Sequence, residues 1–104
     1  MLTKGLYIEK SSGRIWVDGQ LRPERLSMRE VKFTLHLVAY QGKISPRKES
    51  VKAVYETEYE SADDQRLDAM VGRIRRKIGD STHAPRFLFT LHARGHCLKE
   101  YSDL

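Results

Sequence analysis

The residues best suited to chemistry lie in RLDAMVGRIRRKIGD, Arg66 to Asp80, which holds four arginines and one lysine. Cations at this density engage phosphate or carboxylate groups, and the arginine fork can also read guanine in a major groove. The same segment has helical periodicity. On a wheel of about 100° per residue, Met70, Val71, Ile74 and Ile78 fall within roughly 60° of Leu67, forming a core face. Gln65, Arg66, Ala69, Gly72, Arg73, Arg76 and Lys77 occupy the opposite arc, with four cations and no acid. Asp68 and Arg75 share a flank between the two faces. An ordinary solvated helix mixes signs, because like charges at i,i+4, such as Arg73 and Lys77, repel. Ala69 and Gly72 keep the arc low, which suits close approach to a polyanion. Cations near the helix C-terminus also complement its dipole without any further role, and the same arc could dock on an acidic protein.

A 104-residue chain fits one domain. Its net charge is +5 with a pI near 9.5. The charge is unevenly spread: residues 49–64 carry six acids and one lysine inside an otherwise basic chain. The lone cysteine, Cys97, excludes an internal disulfide and a complete cysteine zinc site. It reads as a small core side chain. No apolar run reaches spanning length, and MLTKGLYIEK lacks the apolar stretch of a signal peptide. The default setting is cytoplasmic, with no membrane partner.

GLYIE, RIWVDG and QLR are β-rich, and Asp18-Gly19 is a hairpin signal. Ser27 and Glu30 form a capping box, followed by Val31, Leu35 and Val38 at helical spacing, with Phe33, Leu37 and Tyr40 widening the face. Gly42 should end that helix. Ser45-Pro46 predicts a second start, serine as N-cap, with a short helix to Val54 or Tyr55. Asp63 or Asp64 should cap the third helix and Gly79 end it. FLFTL and GHCL then form a hairpin turning at Ala93-Arg94-Gly95. The fold class is α+β: an N-terminal antiparallel sheet in residues 1–26, three helices in 27–79 and a C-terminal hairpin in 86–99.

Other chemistries find little footing. His92, His96 and Cys97 do not share a strand face, so no metal is expected; no cofactor is expected either. Neither a nucleophile elbow nor a glycine-rich phosphate loop is present, and no catalysis is expected. Trp16 and Phe33 read as core rather than as an exposed RNA-stacking platform.

Three segments in order, RIWVDGQ…LSMREVKFTLHLVAYQGKISPRKESVKAVY, DDQRLDAMVGRIRRKIGD and PRFLFTLHARGHCL, resemble the winged-helix effector domain of OmpR/PhoB-type bacterial transcriptional regulators. The resemblance covers almost the whole chain. It implies sequence-specific binding of double-stranded DNA as the output domain of a response regulator in two-component signalling. The third helix would enter the major groove and the wing the minor groove. Arg73 matches the family's base-contacting arginine, Thr90 a phosphate-contacting wing threonine, and His92 a minor-groove arginine. Gln65-Arg66 stands where Arg-Thr is common, Ala93 replaces a glycine and His96 a tyrosine. Arg94 is expected to take over the minor-groove charge.

The expected DNA face is therefore Gln65, Arg66, Ala69, Arg73, Arg76 and Lys77, with Thr90, His92 and Arg94 on the wing. Lys43, Arg47 and Lys48 at the start of the second helix are phosphate candidates. Glu56, Glu58, Tyr59 and Glu60 match a loop that in the family can contact RNA polymerase; a solvated acidic loop is the alternative. Alone, the domain should be monomeric or a weak dimer, standing in tandem on DNA. In the family a phosphorylatable receiver usually precedes this domain. The competing reading is a winged-helix protein-interaction module that has lost DNA binding.

Overall fold

A computed structural model describes residues 4–102. Strands β1 (Leu6–Ile8), β2 (Arg14–Val17) and β3 (Gln20–Arg25) come first, then helices α1 (Met28–Ala39), α2 (Arg47–Tyr55) and α3 (Asp63–Ile78), then strands β4 (Leu88–Leu91) and β5 (Gly95–Leu98). β1, β2 and β3 form one antiparallel sheet in that order, and β4 and β5 form a second. The expected order of strands, helices and hairpin is what the chain adopts.

The local signals explain most of this. Asp18 and Gly19 both have positive φ, 52° and 82°, the pair a type I′ turn requires between right-twisting strands. β3 runs further than the QLR read from sequence, through Pro23 to Arg25. It is an edge strand, where the missing proline N–H costs no ladder bond. On α1 the capping box is complete: the Glu30 amide donates to Ser27 Oγ at 3.2 Å, and the Ser27 amide donates to Glu30 Oε1 at 2.8 Å. The helix stops at Ala39, before Gly42, and both Gln41 and Gly42 turn the chain with positive φ.

Two cap assignments are corrected. Ser45 does not cap α2. Pro46 holds the cap position in extended geometry, with no side-chain cap bond. Ser45 is taken elsewhere: it forms an antiparallel bridge with His96, amide to carbonyl at 2.8 and 3.1 Å, and its hydroxyl meets His36 Nε2 at 2.7 Å and Ser50 Oγ at 3.2 Å. Neither Asp63 nor Asp64 caps α3. Ala62 occupies that position, and Asp63 is already helical, its carboxylate accepting from the Glu60 amide at 2.8 Å. Gly79 ends α3 in the left-handed conformation, and the Asp80 amide reaches back to the Arg75 carbonyl at 2.8 Å.

The core lies between the first sheet, the three helices and the hairpin. Leu6, Ile8 and Ile15 meet Phe33 and Leu37 of α1, Val51 and Val54 of α2, and Leu67, Met70, Ile74 and Ile78 of α3 in one cluster, closed by Leu88 and Leu98. The predicted core face of α3 is buried as drawn. On α1 the face is shifted: Val31, Phe33, Thr34 and Leu37 are buried, whereas Leu35 and Val38 are only partly so. Cys97 is buried, as expected. Phe33 is core, but Trp16 is not: Ile15 and Val17 point inward, so strand alternation turns Trp16 to the outer face of the sheet, half-buried against Tyr7. No helix among the described residues is long and apolar enough to cross a membrane.

Candidate nucleic-acid interface

α3 positions the face, and its apolar stripe leaves Gln65, Arg66, Ala69, Gly72, Arg73 and Arg76 exposed on the opposite side. A Cβ built on Gly72 meets no atom within 4 Å, so this glycine makes room for nothing inside the described residues and keeps the outer surface flat. Arg76 forms no ion pair among the described residues.

The other cations of the arc are more constrained than a wheel for one helix shows. Glu30 of α1, 2% exposed, sits beneath them. Lys77 Nζ lies 2.8 Å from Glu30 Oε1, and its side chain is only 18% exposed. Arg73 Nε lies 3.3 Å from Glu30 Oε2; its side chain is 49% exposed and its two terminal nitrogens stay unpartnered among the described residues. Burial pushes the Glu30 carboxyl up. The hydrogen bonds from Lys77, the Ser27 amide and Arg73 outweigh it and hold the group below the ordinary glutamate range. Arg66 is paired with Asp63 at 2.7 Å and stacked 3.6 Å over the Tyr55 ring. The arc free of acid is thus a property of α3 alone; α1 supplies the acid that the helix lacks.

Arg75 departs furthest from its sequence reading. It is buried, donating to the Leu88 carbonyl at 3.2 and 2.9 Å and to Thr90 Oγ1 at 2.8 Å. It ties α3 to β4 and sets the distance between helix and hairpin. Burial holds its pKa below the ordinary arginine value. Its place on the flank, beside the apolar stripe, was the only signal for this. Asp80 completes the joint by accepting from the amides of Arg86, Phe87 and Leu88 at 2.7, 3.1 and 2.8 Å.

A shallow cleft of about 400 Å³ between α3 and the hairpin brings together Arg47, Asp68, Arg75, Thr90 and His92. Thr90 keeps its hydroxyl proton available while accepting from Arg75. Arg47 is less free than a phosphate ligand at a helix start: it bridges Asp64 at 3.1 Å and Asp68 at 2.7 Å, welding α2 to α3. Burial alone would lower its pKa, but the two carboxylates raise it. His92, Ala93 and Arg94 are exposed at the hairpin tip. Lys43 and Lys48 are exposed but stand apart from this cleft. Lys43 borders a groove under the hairpin with Phe89, Leu91 and Lys99, and Lys48 a hollow with Lys52, Glu58 and Tyr59. In the α2–α3 loop Glu56, Glu58, Tyr59 and Glu60 are exposed; Glu56 lies 3.5 Å from Lys32, and Tyr59 Oη donates to Asp64 at 2.8 Å. No three potential metal ligands cluster among the described residues.

His96, on β5, is fully buried, edge-on to Phe33 with ring centroids 5.7 Å apart, and neither ring nitrogen has a partner among the described residues. Burial, helped by the Arg47 cation and more weakly by Arg75, outweighs the opposing pull of Asp68 and lowers its pKa to about 4. The unfolded chain therefore takes up a proton near pH 6.5 that the folded chain refuses until about pH 4. The His96 contribution should lower stability by roughly 3 kcal/mol across that window and add nothing further below it. Urea denaturation at pH 7, 5.5 and 4 checks this, and His96→Phe should flatten the slope between pH 6.5 and 4. Glu30, with its depressed pKa, destabilises only at lower pH.

The arrangement is a three-helix core flanked by a sheet and a hairpin, with α3 and the hairpin presenting one continuous surface. The family described as "Transcriptional regulatory protein, C terminal" matches residues 22–98. The chain belongs to that family, the OmpR/PhoB type. Its fold is the winged helix of these regulators, and several solved structures share it. The DNA-binding domain of CpxR from E. coli superposes with a TM-score of 0.72 at 20% identity, over 98% of this chain and 95% of that one. The Klebsiella pneumoniae RstA DNA-binding domain, solved in complex with the RstA box, gives 0.71 at 21% identity over 82% and 81%. The Thermotoga maritima response regulator DrrB, an OmpR/PhoB homolog, gives 0.67 at 24% over 91% of this chain and 44% of its own. No curated protein sequence matches. As a family member the chain is a transcription-regulator output domain, with α3 in the recognition-helix position and β4–β5 as the wing.

Proposed function

We propose that this winged-helix domain binds double-stranded DNA sequence-specifically, with α3 in the major groove and the wing against the minor groove, in the bacterial cytoplasm. One observation carries the reading: Arg73 and Arg76 stand exposed with Ala69 and Gly72 on the outer side of α3, and a cleft joins the flank of that helix, at Asp68 and Arg75, to Thr90 and His92 of the wing. Glu30 fixes Arg73 by its Nε and leaves the terminal nitrogens as a preset fork for a base edge. Gln65, Arg66 and Arg76 frame it. Lys77 is chiefly internal and steadies the helix. Thr90, Lys43 and Lys48 serve as phosphate ligands, the two exposed lysines from outside the α3–hairpin cleft, with Arg47 in a lesser role because it is already paired. The exposed acids of the α2–α3 loop suit RNA polymerase as a second partner.

The second reading, a protein-interaction module, is favoured by the internal carboxylate partners of Arg66, Arg73 and Lys77. Affinity measured against salt separates the two. Phosphate contacts give a steep fall of log affinity with log salt. Arg73→Ala should cost about 1–3 kcal/mol on the preferred sequence and relax preference at one position; Lys48→Ala should weaken all sequences alike. A flat salt response would exclude the DNA reading; an unchanged affinity in both variants would exclude the site assignment.

A further inference from the structure

The outer face of the first sheet takes no part in the surface described above. Its register sets Tyr7 opposite Trp16 and Trp16 opposite Leu21, so three apolar side chains cross the sheet in a row. The Tyr7 and Trp16 rings lie 5.7 Å apart, and Leu21 is 55% exposed. Two residues along β2 from Trp16, Arg14 stands opposite Arg25, and both are exposed. Like charges directly opposed across strands are destabilising. Neither arginine forms an ion pair among the described residues, whereas Arg66 and Arg86 on other surfaces are matched by carboxylates. Glu9, whose amide bonds the Arg14 carbonyl, turns its carboxylate to the Ser12 hydroxyl. Glu24, exposed beside Arg25 where the β2–β3 register is irregular, forms no ion pair with either arginine among the described residues.

We propose that this face docks an acidic protein segment bearing a large apolar side chain, its carboxylates on Arg14 and Arg25 and its apolar group on Trp16 and Leu21. Tryptophan, tyrosine and arginine are the residues that carry most interface energy. A polynucleotide fits less well. Two cations neutralise little backbone, Leu21 offers no ring, and Tyr7 and Trp16 spend part of their faces on each other. A second copy fits less well too. The net charge of +5 opposes association of two copies.

Trp16 is the single tryptophan, so its emission reports on this face alone. Peptides selected by display against the whole chain are expected to combine Asp or Glu with an aromatic or large aliphatic residue. The selected peptides should shift Trp16 emission to the blue. They should bind at least tenfold more weakly to Arg14→Glu/Arg25→Glu and to Leu21→Ser, while thermal unfolding of these surface variants stays unchanged. Basic or neutral selected sequences, or peptides that leave Trp16 emission unmoved, overturn the proposal. So does loss of DNA affinity in the charge-reversed variant, which assigns the face to nucleic acid, or self-association that the reversal abolishes, which assigns it to a second copy. Because Trp16 emission is read without DNA, failure here leaves the DNA reading standing.

Discussion

Gly95→Ala should unfold the domain at a temperature at least about 10 °C below the parent, a loss on the order of 3 kcal/mol or more. Gly95 opens β5 with φ 145°, a conformation side chains rarely adopt, and a Cβ there would overlap the Ser45 carbonyl. That carbonyl accepts from the His96 amide, and the Ser45 amide donates back to His96. Both backbone bonds must break to admit one methyl group, and the neighbouring contact is also backbone, at Pro46, so no side-chain rotation relieves it. The hairpin would part from the start of α2. Differential scanning calorimetry gives the shift, and amide exchange should place the early opening at residues 95–98. An unchanged melting temperature would mean that β5 is not seated on Ser45.

Glu30→Ala should cost about 3 kcal/mol in urea denaturation, combining a lost cap bond with the release of two cations. The side chain holds the Ser27 amide and Lys77 on one oxygen and Arg73 on the other. Lys77, its side chain only 18% exposed, is left without a counter-charge, the larger part of the loss. Arg73, already half exposed, contributes less to stability and more to order. Glu30→Gln keeps an acceptor for Ser27 and should lose about half as much. DNA affinity distinguishes the two consequences. With Arg73 untethered, the preferred sequence should bind several-fold more weakly while non-preferred DNA gains slightly from the uncompensated charge. Equal stability of parent and Glu30→Ala would remove Glu30 as the link between α1 and α3.

What sequence reading could reach, and what it could not, follows from the range of each interaction. The Ser27–Glu30 box, the Asp18-Gly19 turn and the apolar stripe Leu67–Ile78 arise within a few residues of chain, and all appear as read. Glu30 escaped as a partner of Lys77 because the two are 47 positions apart, and a helical wheel contains no second helix. Ser45 carries cap chemistry, but its backbone is claimed by a strand 51 positions away. The wheel puts Arg75 on the flank beside the apolar stripe but cannot name its acceptor, because the Leu88 carbonyl that receives it lies on another element. Trp16 differs for another reason. Alternation along Ile15, Trp16 and Val17 turns it outward, against the preference of so large an apolar ring for the interior. The family motifs located α3 and the wing, but the division of the α3 cations between free and tethered needed coordinates.

The Ser45–His96 bridge seats the hairpin on the start of α2 and the Arg75–Leu88 bonds seat it on α3, making a single caliper of helix and hairpin. Its jaw opening is fixed by the protein before any duplex arrives. A duplex gripped by such a tool must adjust its own curvature and minor-groove width to the gap. Preference would then extend to base steps that no side chain touches, chosen for how cheaply they deform.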